Sequence, residues 1–249
     1  DAGVVLVCRN RERGEAAAED VRRSTGNPDV TVALCDLGDP DAVRACSTAL
    51  RTAHPRIDVL VNNAGLYAPR RHLTSAGYEL MLAVNHLGPF LMTNLLLDRL
   101  QGGRVVTTSS AAHAIARMDL ADLDAARGFA PMRQYGLTKL ANVLFTRELA
   151  RRAPNLVATC FHPGAVASEF GQDEPGFLRI GMRIVKRFLR TPERGADSGI
   201  WLATAPEAAS LSGSYIVDRQ VRTPRGQGTD DALAAALWAE SARRVDLEG

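Results

Sequence analysis

An open α/β architecture, a doubly wound parallel sheet with helices on both faces in a single domain, is the fold class this sequence predicts. Three observations carry it: short Val-rich apolar runs, helical patterns that alternate with them, and no linker, repeat or low-complexity segment dividing residues 1–249. "GVVLVC" is a continuous apolar run, the composition of a parallel strand buried on both faces, with its core at Val4 to Cys8. "RERGEAAAEDVRRSTG" follows as a polar-faced helix closed by Gly26. "DVTVALCDL" is the second strand, and in "GDPDAVRACSTALRTAH" Asp39 can cap a helix whose first turn Pro40 can occupy. "IDVLVNNAG" is the third strand, followed by a long helical segment from about Ser75 to Leu100 and the strand "GRVVTTSS". A helix from about Gln134 to Arg152, the strand "LVATCFHPG", a helix around "ADSGIWLATA" and a last strand "GSYIVD" complete the alternation. "GQGTDDALAAALWAESARR" reads as a terminal helix capped around Asp230, with Leu233, Leu237 and Trp238 as its packing face, against the core or against a second subunit.

Composition removes several functional classes. With 249 residues, 46% hydrophobic and 23% charged, the chain suits one large core and is short for two. The 30 basic and 28 acidic residues leave a net charge of +2, with no block of like charge, so nucleic acid is not expected as a partner. Cys8, Cys35, Cys46 and Cys160 lack C-x-x-C spacing and read as buried thiols of a reducing compartment, the cytoplasm. "LMLAVNHLGPFLMTNLLL" is broken by Asn85, His86, Pro89 and Asn94 and fails as a membrane span, and no basic segment followed by an apolar one opens the chain as a signal peptide would. The histidines at 54, 72, 86, 113 and 162 show no metal-ligand spacing.

The chemistry starts at "QYGLTKLANVLFTREL". Tyr135 and Lys139 lie one helical turn apart on one face. An ammonium held near a phenol favours the phenolate, which lowers the tyrosine pKa towards neutrality and makes it a usable general acid or base. Alone, the pair is common on amphipathic helices. It is accompanied by Ser110 in "GRVVTTSSAAH", at the C-terminal end of a buried strand where ligands collect in open α/β sheets. Asn62, Ala64 and Gly65 end another strand, Asn85 is an amide within an apolar helix, and Pro163 and Gly164 of "HPGAVAS" form a rigid turn at the same edge.

In these motifs the chain resembles the short-chain dehydrogenases/reductases, Rossmann-type enzymes, and among them the retinol-dehydrogenase-like and related NADP-dependent branch. The resemblance runs through "VVLVCRNRERGEAA", "CDLGDPDAVR", "IDVLVNNAG", "AVNHLGPFLMTNLLL", "GRVVTTSSAAH", "YGLTKLANVLFTRELARR", "HPGAVAS", "TPERGADSGIWLA" and "LSGSYIVD". It implies hydride transfer between a nicotinamide and a carbonyl or alcohol, with Tyr135 moving the proton and Lys139 lowering its pKa and holding the nicotinamide ribose. Ser110 would polarise the carbonyl, and Asn85 would hold a water linking Lys139 to solvent. Asp36 and Leu37 would lie beside the adenine, and Asn62, Ala64, Gly65, Pro163, Gly164, Val166 and Ser168 would line the cofactor.

Arg9 follows the strand at the point where an acid would bind a ribose 2′-hydroxyl, so NADP is favoured over NAD; as a bare surface residue Arg9 would carry no such meaning. Residues 166–192 are expected to cover the substrate. Within them "FLRIGMRIVKRFLR" is a basic amphipathic helix whose apolar face suits a lipophilic aldehyde, ketone or alcohol, or alternatively an anionic membrane surface. His113, between Ser110 and Tyr135, reads as a pocket-wall or surface residue. The family's T-G-x-x-x-G-I-G turn, which brings backbone amides to the pyrophosphate, does not occur in the sequence. The expectation is a natural polypeptide longer by about thirty residues, one βα unit, whose strand would lie at the centre of the sheet. The same absence keeps open a second class, a binding or regulatory protein that retains the fold without the cofactor.

Overall fold

The structure, a computed structural model, describes residues 2–164 and 191–247. Strand β1 (Val4–Cys8) leads into helix α1 (Arg11–Thr25), capped by the Asn10 side chain and closed at Gly26, whose φ of 72° only glycine adopts cheaply. Strand β2 (Val30–Leu34) pairs with β1 in parallel from Val4–Val30 to Cys8–Leu34. Helix α2 (Pro40–Ala53) starts as read, with the Asp39 carboxylate accepting from Asp41 N and proline in the first turn. Strand β3 (Val59–Asn62) follows.

The long helix expected from about Ser75 to Leu100 is shorter and broken. A three-residue α-helix α3 (Leu80–Leu82) passes into a π-helical turn (Ala83–Leu87) and then α4 (Gly88–Leu95). The wider π turn buries two successive polar residues, Asn85 and His86. Strand β4 (Arg104–Thr108), helix α5 (Pro131–Arg152) and strand β5 (Val157–His162) come next, α5 beginning three residues earlier than expected, on a proline.

Helix α6 (Pro192–Thr204), strand β6 (Tyr215–Val217), strand β7 (Gln220–Arg222) and helix α7 (Asp231–Arg244) complete the described chain. β6 is therefore not the last strand: Asp218 and Arg219, with φ of 52° and 58°, turn the chain back into the antiparallel β7. That short, polar strand has no apolar pattern to announce it.

The strands form two hydrogen-bonded pieces, β1–β2 and β3–β4–β5–β6–β7, parallel except for the last pair. The sheet is thus divided between β1 and β3, where the expected central strand would lie, and no described strand bridges them. Helices cover both faces. On one, Leu91 of α4, Leu140 and Leu144 of α5, and Leu237 and Trp238 of α7 share a core; on the other, Leu202 of α6 packs with Val106, Phe161 and Ile216. The packing face expected for the terminal helix is therefore buried inside the chain. Parallel pairing brings the C-terminal ends of β3, β4 and β5 to one edge of the larger sheet, and there the candidate site is built.

Candidate active site

Helix α5 presents Tyr135 and Lys139 to that edge. Lys139 is buried, its Nζ 5.6 Å from the centre of the Tyr135 ring and donating to the carbonyl of Thr108, the last residue of β4, at 3.2 Å. The two serines after β4 have separate tasks. Ser109 is buried and its hydroxyl donates to Lys139 O at 2.8 Å, tying α5 to the strand. Ser110 hydrogen-bonds the Tyr135 side chain, while its Oγ also accepts from Ala112 N at 3.2 Å. Gly136 lets the helix approach this turn, because a Cβ there would come within 2.6 Å of Ala112 O.

The electrostatics depart from the sequence-based expectation. Burial raises the Tyr135 pKa, opposed by the hydrogen bond from Ser110, so the phenol is shifted up and not down. Burial also pulls Lys139 down to about 8. Desolvation disfavours both charged forms and outweighs the attraction that the one-turn spacing suggested.

Asn85 reaches the same place from the π turn. Its Oδ1 accepts from Leu66 N at 2.7 Å, and its Nδ2 donates to Leu66 O at 2.9 Å and to Thr138 Oγ1 at 3.1 Å. The side-chain amide is thus engaged in pinning the loop after β3 to α5. That loop carries Gly65, where a Cβ would lie 3.3 Å from Lys139 Nζ and 3.4 Å from Asn85 Oδ1. Ala64 and Gly65 are exposed; Asn62 is buried and donates to Thr93 Oγ1 at 3.0 Å.

Pro163 and Gly164 follow β5, half-buried, with Gly164 at φ 83°. Arg9 is exposed directly after β1, next to the Asn10 cap of α1. Asp36 accepts from Gly38 N at 2.8 Å, and Leu37 lies against Gly88 of α4. Val166, Ser168 and all of residues 166–190 of the expected lid, its amphipathic helix included, lie outside the described residues.

His113 is buried and not a surface residue. Its Nδ1 donates to Ser110 O at 2.7 Å, Nε2 accepts from Arg225 N at 3.1 Å, and its ring meets Tyr215 edge-on at 4.9 Å. Sequence reasoning passed over Tyr67, edge-on to Tyr135 at 6.1 Å, and Ser109, Asn142 and His86 as partners. The available clue was polar residues, Asn142 three after Lys139 and His86 beside Asn85, set among apolar neighbours. Among the described residues no group of three or more His, Cys, Asp or Glu could hold a metal ion, and no helix is long and apolar enough to cross a membrane.

A parallel α/β sheet of Rossmann type, with a tyrosine, a buried lysine and a serine converging at the C-terminal edge, defines a dinucleotide-dependent oxidoreductase class. Residues 1–175 match the short chain dehydrogenase family, and the chain belongs to it. It is 42% identical to dehydrogenase/reductase SDR family member 13 of Bos taurus over 255 aligned residues, covering 99% of this chain and 67% of the relative. Retinol dehydrogenase 13 of Homo sapiens is 36% identical, with 98% of this chain and 77% of that one aligned. Among solved structures, an uncharacterised protein from Mycobacterium paratuberculosis is similar with a TM-score of 0.80 and 33% identity, over 99% of this chain and 85% of that one.

Proposed function

We propose that the chain interconverts a lipophilic aldehyde or ketone and its alcohol with NADP(H), Tyr135 acting as general acid or base. The hydrogen bond between Tyr135 and Ser110, one helical turn from the buried Lys139, is the observation that carries the reading. The residues present fit a nicotinamide dinucleotide. Gly65 leaves the space beside Lys139 Nζ that a Cβ would take, so backbone can approach a ligand there. Lys139 would hold the ribose, Asn62, Ala64, Gly65, Pro163, Gly164, Val166 and Ser168 would line the cofactor, and Asp36 and Leu37 would lie by the adenine. Arg9 would meet a 2′-phosphate, which favours NADP over NAD. The bound nicotinamide supplies the hydride donor or acceptor.

The protein's part is proton transfer and positioning. Ser110 would donate to the carbonyl oxygen and Tyr135 would deliver the proton. A phenol whose pKa is raised stays protonated at neutrality, which suits the reductive direction. Lys139, shifted to about 8, is still mostly cationic at pH 7 and stabilises the phenolate left behind. Apolar side chains on elements bordering Tyr135, namely Tyr67 and the exposed Ile115 and Met132, support a lipophilic substrate, as does the retinol dehydrogenase among the relatives. Four unpaired cysteines, three of them buried, support a reducing compartment such as the cytoplasm.

Tyr135→Phe is the test. It removes one hydroxyl, so NADPH affinity should change little while reduction of hydrophobic aldehydes falls by about 10²–10⁴. Near-normal turnover in this variant would remove Tyr135 from the chemistry. If the unmodified chain binds no NADP(H), the reading gives way to a binding protein that keeps the fold.

A further inference from the structure

His86 stands outside the proton-transfer set yet is fully buried in the π turn, packed against the rings of Phe90 and Phe145 at 6.0 and 6.3 Å. Its two ring nitrogens meet different elements: Nε2 lies 2.9 Å from Ser241 Oγ on α7, and Nδ1 lies 3.4 Å from Asn142 Oδ1 on α5. Asn142 Nδ2 in turn donates to the Thr108 carbonyl at 3.1 Å, the same oxygen that accepts from Lys139 Nζ at 3.2 Å.

One end of this chain fixes the rest. A backbone carbonyl has no proton to give, so the Asn142 amide must turn its NH₂ towards Thr108 and its oxygen towards His86. That oxygen can only accept, so His86 carries its proton on Nδ1. Nε2 is then the acceptor and the Ser241 hydroxyl the donor. Donors thus run in one direction from the C-terminal helix to Thr108, where they meet the Lys139 ammonium. Reversing any one bond would set two acceptors or two donors face to face in a buried site, where an unmade hydrogen bond is costly.

We propose that His86, as its Nδ1–H tautomer, is a positioning residue that holds Asn142 and the Thr108 carbonyl against Lys139, and so couples the C-terminal helix to the candidate active site. The part concerning Lys139 rests on the proposed function; the tautomer does not. The arrangement makes two similar substitutions unequal. His86→Asn keeps an NH₂ group near the Nδ1 position, whereas His86→Gln places its amide near Nε2 and leaves Asn142 Oδ1 without a donor. Both lose the same aromatic packing, so a purely structural role would affect them alike.

The test uses the whole chain, isotopically labelled, without and with NADPH. Nitrogen chemical shifts should show His86 protonated on Nδ1. The Lys139 side-chain resonances should move in His86→Gln and stay in His86→Asn, and NADPH should bind about tenfold more weakly to His86→Gln than to His86→Asn. An Nε2–H tautomer, or indistinguishable Lys139 resonances in the two variants, would overturn the proposal. Should neither variant fold, the tautomer in the unmodified chain decides. Ser241→Ala, which removes the donor at the far end, should then shift the Lys139 resonances, and their standing still would also overturn it. If the unmodified chain binds no NADPH while the resonances behave as described, the positioning role stands and the oxidoreductase reading fails.

Discussion

His86 is held neutral by its surroundings, since burial lowers its pKa from 6.5 to about 4. A histidine whose folded pKa lies below its unfolded one binds its proton more readily after unfolding, so stability is full above the unfolded pKa and is lost as pH falls towards the folded one. Between pH 7.5 and 5 that single group should cost about 2 kcal/mol. Urea denaturation at the two pH values should show this loss in the unmodified chain and a smaller one in His86→Asn, which cannot titrate; equal losses would mean that His86 is not the group responsible. His113, also shifted down by burial, acts in the same direction in both proteins. The legibility of residues follows the same physics. Tyr135, Lys139, Ser110 and Asn85 stood out because their types and order form a motif. His86, Asn142 and Ser109 did not, because a polar residue satisfied by a buried partner looks in sequence like one satisfied by water. The pKa of Tyr135 was misjudged for a related reason: spacing reveals a neighbouring charge but not the desolvation that opposes it.

The segment from Glu79 to Leu95 shows what periodicity conveys about an element and what it hides. Its apolar run announced a helix, yet neither the late start at Leu80 nor the π turn follows from spacing. Glu79 sets the start. It is fully buried, with one carboxylate oxygen accepting from Met81 N at 3.0 Å and the other from Leu82 N and from Gln134 Nε2, both at 2.9 Å. Gln134 immediately precedes Tyr135, and Glu79 lies six residues before Asn85. One side chain therefore caps the helix that carries Asn85 and clamps it to the first turn of α5. Glu79→Ala leaves two backbone donors and a buried amide without this acceptor and should destabilise the chain by about 2–4 kcal/mol. Chemical denaturation measures that directly, and a loss below about 1 kcal/mol would show that water or a rearranged Gln134 replaces the carboxylate. Strands were more legible than helix ends. The Val-rich runs located β1 to β6, whereas β7, with a hairpin turn of Asp218 and Arg219 instead of Asn-Gly, left no apolar trace.

At the scale of the whole molecule the division of the sheet decides how stability is distributed. β4 is paired on both sides, with β3 and β5, and Val105 and Val106 are buried on its two faces. Among the described residues β1 is hydrogen-bonded on one side only, to β2, and all five of its residues are partly exposed despite their apolar composition. The β1–β2 pair is joined to the rest through side chains: Cys35, Val43 and Leu50 share the main core with Leu87 and Leu91, and Leu37 lies against Gly88 at the start of α4. Contacts of this kind can loosen without unfolding the five-stranded body, because among the described residues no backbone ladder joins β1 to β3. The chain should therefore open in two steps under native conditions. Amides of Leu6 and Cys8, which face β2, should exchange with solvent through openings of distinctly lower free energy than those of Val105, Val106 and Thr159. Hydrogen exchange followed by mass spectrometry or NMR reads both groups in one experiment. Equal protection would mean that side-chain packing alone binds the two sheets into one cooperative unit, and the separate loosening of β1–β2 would have to be abandoned.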